Sequence, residues 1–414
     1  MKSSPLLVLT MIFLASLTSK GQTSFKFDFG TGKVKGPDVR VAASDAYSPA
    51  AGHGFDFGTA PGNAPFYFSV KVPEGNYKVT VKIGDQTQPT ETTIKAESRR
   101  LMVDDVHTAK GKFITKTFIV NIKDRNITGG EQVKLKPREL NKLDWDDKLT
   151  LEFDLKTVIQ SIDITKVNDQ VTVFLAGNST VVNQDEEPWA SWGQMITRFF
   201  KPGVAIANHA ESGLSLGSFI GSKRLEKVLS IMKPGDYVLV EFGHNDEKEK
   251  GPADGPYKSY TERLHLFANA VKSKGGHLII LTPTARRSFN AEGKMENSHG
   301  DYPDAARKAA QEEGVPFIDL TAISTKLYEA MGAEGSKKAF VIYPEQNLND
   351  NTHFNPYGAY EIARIVVQGI KDNEPELAKY LVDVPLFDPA KPDSFDTFRW
   401  APSPKVSLLK PDGN

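Results

Sequence analysis

Four short polar blocks follow one another in the second half of this chain, and together they hold the groups needed to cleave an ester. They supply a serine hydroxyl, a glycine backbone amide, an asparagine side-chain amide and an Asp/His pair. A serine nucleophile needs a general base, a group that orients the base, and donors for the oxyanion that develops on the attacked carbonyl. The blocks are Gly177-Asn178-Ser179-Thr180, Asn208-His209-Ala210-Glu211-Ser212-Gly213, Gly243-His244-Asn245-Asp246 and Asp350-Asn351-Thr352-His353.

The candidate nucleophile is Ser179, which follows the apolar segment 171–176 through Gly177. Serine is also a favoured helix cap, so this tetrapeptide alone favours an ordinary cap. The candidate base is His353, and Asp350 lies three residues before it. A carboxylate in that place can fix the tautomer of the imidazole and stabilise the imidazolium. The short spacing predicts that both side chains lie on one loop that faces the sheet edge.

Donors for an oxyanion are expected from three places. Asn245 follows a predicted strand and offers a neutral side-chain amide. Gly213 permits close approach of the backbone to a ligand, and the N–H groups of Gly213 and Ser179 complete the set. Taken singly, Asn245 and Gly213 are as well explained as turn residues. The prediction depends on their combination and order.

The elements around these blocks change character along the chain. Residues 1–22 have a lysine near the start and a short apolar stretch from Leu6 to Leu17, which predicts a removable signal peptide and a secreted protein, periplasmic or extracellular. From 24 to 166 apolar and polar residues largely alternate, which predicts an all-β sandwich of jelly-roll type. Between 170 and 372 strands and helices alternate, which predicts a parallel sheet flanked by helices. Residues 373–414 are predicted to form an extended tail.

Composition narrows the classes of function. The 414 residues carry a net charge of −1 without a long run of one sign, which argues against a nucleic-acid partner or a charged membrane surface. No second apolar run is long enough to cross a bilayer, so no membrane insertion is expected. There are no cysteines, which excludes disulfides, thiolate metal sites and a cysteine nucleophile.

The residues from about 171 to 371 resemble the SGNH, or GDSL-like, hydrolase superfamily, and within it they are most similar to the rhamnogalacturonan acetylesterases. The resemblance implies a flavodoxin-like three-layer α/β/α fold, a catalytic triad of Ser179, Asp350 and His353, and an oxyanion hole of Ser179, Gly213 and Asn245. It implies no metal and no cofactor. One departure is Asn178, where the family usually has aspartate. The segment 24–166 more weakly resembles the galactose-binding-like sandwiches of carbohydrate-active esterases.

Three further residues are candidates for binding the substrate. Arg286 and Arg287 follow a predicted strand, and a guanidinium group matches the geometry of a uronate carboxylate. A surface pair is an equally good interpretation of these arginines. His244 lies next to Asn245 in the third block.

Rival interpretations exist for two of the blocks. Gly213-Leu214-Ser215-Leu216-Gly217 matches the G-x-S-x-G nucleophile elbow, with Ser215 as nucleophile, although 208–212 separates it from the preceding strand. The third block is similar to a metallophosphatase block, but the loop after 176 offers no His or Asp ligands.

The prediction is therefore a secreted serine esterase that deacetylates a plant cell-wall polysaccharide, above all pectic rhamnogalacturonan, and whose partner is an acetylated poly- or oligosaccharide. Alternatives are a deacetylase of another glycan such as xylan, or a catalytically silent carbohydrate-binding protein. The sequence leaves the oligomeric state open.

Overall fold

The structure is a computed structural model that describes residues 22–30, 32–34, 36–62 and 64–412. The predicted signal peptide, 1–22, lies outside the described residues except for Gln22. No helix in the described ranges is long and apolar enough to cross a membrane.

The first half of the chain forms two five-stranded sheets that face each other. One sheet has the order β2-β1-β10-β5-β8 and the other β3-β4-β9-β6-β7, and every pairing is antiparallel except that of β1 with β2. The strands are β1 (Ser24–Asp28), β2 (Val39–Arg40), β3 (His53–Asp56), β4 (Phe66–Lys71), β5 (Gly75–Asp85), β6 (Thr90–Ala96), β7 (Arg100–Thr108), β8 (Lys112–Ile122), β9 (Lys148–Phe153) and β10 (Ile159–Val167).

The alternation in the sequence sets which side of each sheet faces the core. In β5, Tyr77, Val79, Val81 and Ile83 are fully buried at every second position. Facing side chains include Phe27 and Phe68, whose rings meet edge to face with centroids 5.1 Å apart. The all-β sandwich predicted for this region is present.

The second half forms a parallel sheet with the order β12-β11-β13-β14-β15, which is the 2-1-3-4-5 order of flavodoxin-like folds. The fold class predicted from the sequence is confirmed. The elements are β11 (Val171–Gly177), α1 (Trp192–Met195), β12 (Val204–Asn208), α2 (Leu216–Gly221), α3 (Arg224–Ile231), β13 (Tyr237–Glu241), α4 (Thr261–Ser273), β14 (His277–Leu281), α5 (Tyr302–Glu313), β15 (Phe317–Ile318), α6 (Leu320–Gly335), β16 (Phe340–Tyr343), β17 (Leu348–Phe354), α7 (Pro356–Asn373) and α8 (Pro375–Ala378).

Two elements differ from expectation. Asp350 and His353 lie not on a loop but on β17, which pairs antiparallel with β16. The strand forms because its alternate residues Leu348, Asp350 and Thr352 are buried on one side. Helix α6 was not expected between β15 and the last block. It begins at a cap in which the Asp319 side chain accepts a hydrogen bond from the N–H of Ala322.

Strand β7 joins the sandwich to the parallel-sheet domain. Leu101 packs into the apolar core of the second domain, and its carbonyl accepts a hydrogen bond from the Thr197 hydroxyl. The buried Arg100 donates to the carbonyl of Ile206 in β12 and to that of Asn121 in β8. The two domains therefore share a continuous buried interface.

Candidate active site

Ser179 lies two residues beyond β11, at the carboxyl edge of the parallel sheet. Gly177 lets the chain turn there, because a Cβ at this position would lie 2.4 Å from the side chain of Val181. The carbonyl of Ser179 accepts a hydrogen bond from the Gln184 amide, which also reaches the Ser212 hydroxyl. The first two blocks are thus linked through one side chain, and the edge of an open α/β sheet is where ligands bind.

A buried carboxylate beneath this turn was missed by the sequence analysis. Glu241 ends β13, is fully buried, and accepts hydrogen bonds from the Thr180 hydroxyl, the Trp192 indole and the Thr284 N–H at 3.0, 2.6 and 3.1 Å. Burial raises the pKa of Glu241 to about 7, against the opposing effect of these donors. The available signal was a charged residue closing an otherwise apolar strand, Tyr-Val-Leu-Val-Glu.

The acid/base pair is formed in the arrangement that a triad requires. His353 Nδ1 lies 2.8 Å from Asp350 Oδ2, and Asp350 Oδ1 accepts the N–H groups of Thr352 and His353. Burial acts to raise the pKa of Asp350, but the hydrogen bond and charge of His353 with the two N–H donors hold it well below its ordinary value. The ionised carboxylate fixes the imidazole so that Nε2 is the nitrogen positioned for proton transfer.

The predicted base, His353, contacts the loop that follows the predicted nucleophile, residues 179–190, through Trp189. We call this segment the nucleophile loop. The rings of Trp189 and His353 are edge to face with centroids 5.7 Å apart, and the N–H of Ala190 donates to the carbonyl of Phe354. The loop that begins at Ser179 and the strand that carries His353 are therefore held against each other.

The three predicted oxyanion donors lie on neighbouring loops. Gly213 has a φ of +77°, a region that favours glycine. Asn245 Nδ2 donates to the carbonyl of Leu214 at 3.0 Å, which joins the third block to the second. Among the described residues, the backbone N–H groups of Ser179 and Gly213 donate to no protein acceptor, so they are available to an oxyanion.

Asn178, where the family usually has aspartate, holds the turn that follows β11. Its Oδ1 accepts hydrogen bonds from the N–H and the hydroxyl of Thr180 at 3.1 and 2.9 Å. A carboxylate oxygen accepts in the same way, so the turn does not require the charge. The Nδ2 of Asn178 is buried and has no hydrogen-bond partner among the described residues.

The predicted substrate-binding residues lie beside the third block but are engaged within the protein. Arg286 pairs with Glu247 and donates to the carbonyl of His244. His244 is buried, and its ring meets that of His299 at 4.5 Å. Burial, with the nearby charges of His299 and Arg286, holds the pKa of His244 well below its usual range, so the ring is neutral. Substrate binding by Arg286 and His244 stays a prediction.

Arg287 contacts the segment that carries the acid/base pair. Its guanidinium group donates to Asn351 Oδ1 at 2.9 Å, its backbone N–H donates to the carbonyl of Asn351 at 2.8 Å, and its Nε donates to the Ser336 hydroxyl. Asn351 lies directly after Asp350, so these bonds position β17. Binding of a uronate by Arg287 also stays a prediction.

The rival nucleophile has other partners. Ser215 caps α2 by accepting a hydrogen bond from the N–H of Ser218, and its hydroxyl donates to Glu249 at 2.6 Å. A carboxylate at that distance holds the hydroxyl, and no histidine is bonded to it among the described residues. Over the same residues, no group of three or more His, Cys, Asp or Glu side chains is arranged around a common metal position.

Charged residues from the sandwich side support the second block. Glu211 is buried, and Lys142 and Arg138 both pair with it. Burial acts to raise the pKa of Glu211, but these cations lower it to about 2. The backbone N–H of Ser212 donates to the same carboxylate. Residues outside the parallel-sheet domain thus fix the loop that presents Gly213.

The tail crosses the site on its way along the surface. The Trp189 indole donates to the carbonyl of Ser407. Further on, Lys410 Nζ lies 3.3 Å from Asp350 Oδ2, and Asp412 contacts Lys136 beside Gly213. The tail therefore forms part of the rim of the catalytic edge.

Ser179 at the carboxyl edge of a 2-1-3-4-5 parallel sheet, with the Asp350–His353 pair held against the loop that follows it, is the arrangement expected of a serine hydrolase with a three-layer catalytic domain. The catalytic roles of the three residues stay predictions. Residues 175–360 match the GDSL-like lipase/acylhydrolase family. Rhamnogalacturonan acetylesterase RhgT of Bacillus subtilis is 42% identical over 221 residues, which are 51% of this chain and 94% of that relative. This chain belongs to the GDSL-like lipase/acylhydrolase family, as its four blocks predicted, and it is a carboxylic ester hydrolase.

Two other similarities extend over both domains. The uncharacterized esterase YxiM of Bacillus subtilis is 27% identical over 380 residues, which cover 84% of this chain and 90% of the relative. The crystal structure of the YxiM protein from Bacillus subtilis matches with a TM-score of 0.47 and 25% identity, over 84% of this chain and 98% of that one.

Proposed function

We propose that this protein removes O-acetyl groups from a carbohydrate, and that the substrate is the pectic polysaccharide rhamnogalacturonan. The observation that carries the proposal is the 42% identity to a rhamnogalacturonan acetylesterase across nearly the whole length of that relative. The proposal is also supported by Ser179, Gly213 and Asn245 in the loops that follow the parallel strands, and by the Asp350–His353 pair, which is hydrogen-bonded at 2.8 Å.

The reaction follows from the roles of these groups. The Ser179 hydroxyl attacks the acetyl carbonyl while His353, oriented by Asp350, takes its proton. The N–H groups of Ser179 and Gly213 and the amide of Asn245 stabilise the oxyanion. His353 then gives the proton to the departing sugar oxygen, and water hydrolyses the acetyl-serine by the same route.

We also propose that the protein is exported. The proposal is supported by the sequence of residues 1–22, with Lys2 ahead of the apolar stretch from Leu6 to Leu17. A polymeric substrate outside the cytoplasm is consistent with such a leader. Fractionation of the native host, with an antibody against the sandwich, tests it: the protein should be found outside the cytoplasm with its N-terminus shortened.

The substrate proposal is tested by acetate release. Purified enzyme is incubated with acetylated rhamnogalacturonan, acetylated xylan and 4-nitrophenyl acetate, with the Ser179→Ala variant as the blank. We expect the highest kcat/KM on rhamnogalacturonan. Faster release from xylan would reject the pectic substrate, and hydrolysis of the aryl ester alone would reject a carbohydrate substrate.

A further inference from the structure

A cavity of about 520 Å³ lies where the sandwich, the catalytic domain and the tail meet. Its wall includes Phe57 and Ser98 from the sandwich, Asp185 from the loop after Ser179, and Lys405 from the tail. We call it the interdomain cavity. Its volume falls in the range of small-molecule sites, which combine aromatic walls with a few polar groups.

The aromatic part of the wall is formed by two rings. Phe57 is 53% exposed, which is unusual for a large apolar side chain. Its ring meets that of Tyr67 edge to face, with the centroids 5.2 Å apart. An exposed aromatic ring in a concave surface offers an apolar face to a ligand. The C–H face of a pyranose ring is apolar in the same way, while its rim carries hydroxyl groups.

The polar part includes a hydroxyl that lacks a partner. Ser98 is 1% exposed, and its Oγ makes no hydrogen bond to any of the residues that the structure describes. Buried polar groups nearly always have a partner, so a group without one calls for an explanation. The Oγ is closed to solvent, so a ligand hydroxyl in the interdomain cavity would supply a partner only once the Ser98 side chain rotates toward it.

The backbone around the cavity is strained. Ser98 lies between Glu97 and Arg99, whose φ angles are +55° and +62°, and Phe57 has a φ of +55°. Three of the six non-glycine residues with positive φ in the described ranges therefore line this one cavity. Such conformations persist where the surrounding structure enforces them, and they cluster at ligand sites.

The cavity shares a wall with the nucleophile loop. The guanidinium group of Arg99 donates to the carbonyls of Gln184 and Trp189 at 3.2 and 2.7 Å. Gln184 in turn donates to the carbonyl of Ser179, and Trp189 packs on His353. A ligand that contacts Arg99 is thus linked through Gln184 and Trp189 to the residues Ser179 and His353.

We propose that the interdomain cavity binds a neutral sugar unit of the same polysaccharide chain, further along that chain from the unit whose acetyl group reaches Ser179. The proposal rests on the proposed carbohydrate substrate. Each basic side chain that lines the cavity already pairs with a carboxylate, so a neutral sugar suits the cavity better than a uronate. The pairs are Arg99 with Glu187, Lys142 with Glu211 and Lys405 with Asp185. The sandwich thereby contributes to choosing the substrate without contributing a catalytic residue.

The test compares Phe57→Ala with Phe113→Ala on acetylated rhamnogalacturonan oligosaccharides of increasing length. Phe113 is a matched control because it is also a partly exposed sandwich phenylalanine with a lysine over its ring, on β8 away from the cavity. For the wild type, KM should fall as the oligosaccharide lengthens. Phe57→Ala should lose that dependence, with KM for long substrates raised about tenfold, and Phe113→Ala should keep it.

Kinetics on 4-nitrophenyl acetate separate binding from folding. Phe57→Ala and Ser98→Ala should leave kcat and KM for this small ester unchanged. Equal loss on the small ester and the oligosaccharide would overturn the inference in favour of a structural role, and so would an unchanged KM for long substrates. A wild type that releases no acetate from any oligosaccharide would instead reject the proposed function itself.

Discussion

The predicted catalytic edge and the domain interface both bury charged groups, but they differ in whether their hydrogen-bond donors have partners within the protein. At the interface Arg224 and Glu139 are both fully buried, and one guanidinium nitrogen lies 2.7 and 2.6 Å from the two carboxylate oxygens. At the edge, the N–H groups of Ser179 and Gly213 donate to no described residue. The interface pairs its buried charges with each other, whereas the edge keeps backbone N–H donors that no described residue uses.

The interface and the edge therefore have separate roles. A buried ion pair contributes little net stability over apolar residues of the same size, but loss of one partner leaves an uncompensated charge. The interface charges therefore fix how the domains sit and how the second block is held. The unpaired N–H donors at the edge are available to the predicted oxyanion.

The largest expected effect is the loss of catalytic activity, without loss of stability, when Ser179 is replaced. Ser179→Ala should lower kcat on any ester by about a thousandfold or more, while the midpoint of urea denaturation stays within error of the wild type. Ser215→Ala is the control and should remain active, because its hydroxyl is bonded to Glu249. An inactive Ser215→Ala beside an active Ser179→Ala would transfer the nucleophile to the other serine.

The next largest effect is a loss of stability when the buried ion pair at the domain interface is broken. Arg224→Met leaves Glu139 buried without its guanidinium partner, and we expect the free energy of unfolding to fall by about 3–5 kcal/mol. Urea denaturation followed by tryptophan fluorescence measures it. Lys223→Met is the control, since its partner Glu131 is largely exposed, and it should change stability by less than about 1 kcal/mol.

The double variant Arg224→Met/Glu139→Gln sharpens the same test. It removes the uncompensated charge, so it should recover part of the lost stability. If the single and double variants are equally unstable, packing rather than charge accounts for the loss at the interface.

A smaller effect is expected from pH. Burial raises the pKa of both Glu241 and Asp246 to about 7 in the folded protein, above their values of about 4.5 and 3.8 in the unfolded chain. The folded state then binds more protons, so its free energy of unfolding falls as pH rises through 7 and levels off above it. Between pH 6.5 and 8 we expect a loss of about 1 kcal/mol.

The Glu241→Gln variant serves as the check on that pH effect. It cannot ionise, so its stability should depend less on pH over the same interval. An unchanged slope in the variant would show that other groups produce the dependence.

The smallest effect is expected at the exposed rim of the edge. Lys410 is about half exposed where it pairs with Asp350, and such pairs contribute about 0–1 kcal/mol. Lys410→Ala should therefore change kcat/KM by less than about fivefold. A large loss in steady-state kinetics would give the tail a direct part in catalysis.

The sequence predicted the edge far better than the interface, for a physical reason. The four blocks are short and follow strands or precede a helix, so local pattern and topology were enough to predict one common edge. Arg224 and Glu139 are 85 residues apart, and nothing in either neighbourhood indicates the other. Glu241 lacks a motif because its partners, Thr180, Trp192 and Thr284, come from three different segments.

The sequence contains a pattern that indicates helix α6. In α6 the buried residues Leu320, Ser324, Leu327 and Tyr328 recur at helical spacing, and Asp319 precedes them as a cap. The strand character of β17 was hidden because its buried residues include the polar Asp350, Thr352 and His353, which break the alternation of apolar and polar residues typical of a strand. The interdomain cavity has no local pattern at all, since three parts of the chain form it.

The tail also constrains the order in which the protein can be completed during translation. Ser403 bonds to Glu152 of the sandwich and to Glu187 of the nucleophile loop, and the carbonyl of Ala401 accepts from the buried Lys95. These residues leave the ribosome after both domains have emerged. The nascent protein therefore passes through a stage in which both domains have been made while Lys95, Glu152 and Glu187 still face solvent, and arrival of the tail seals the interface.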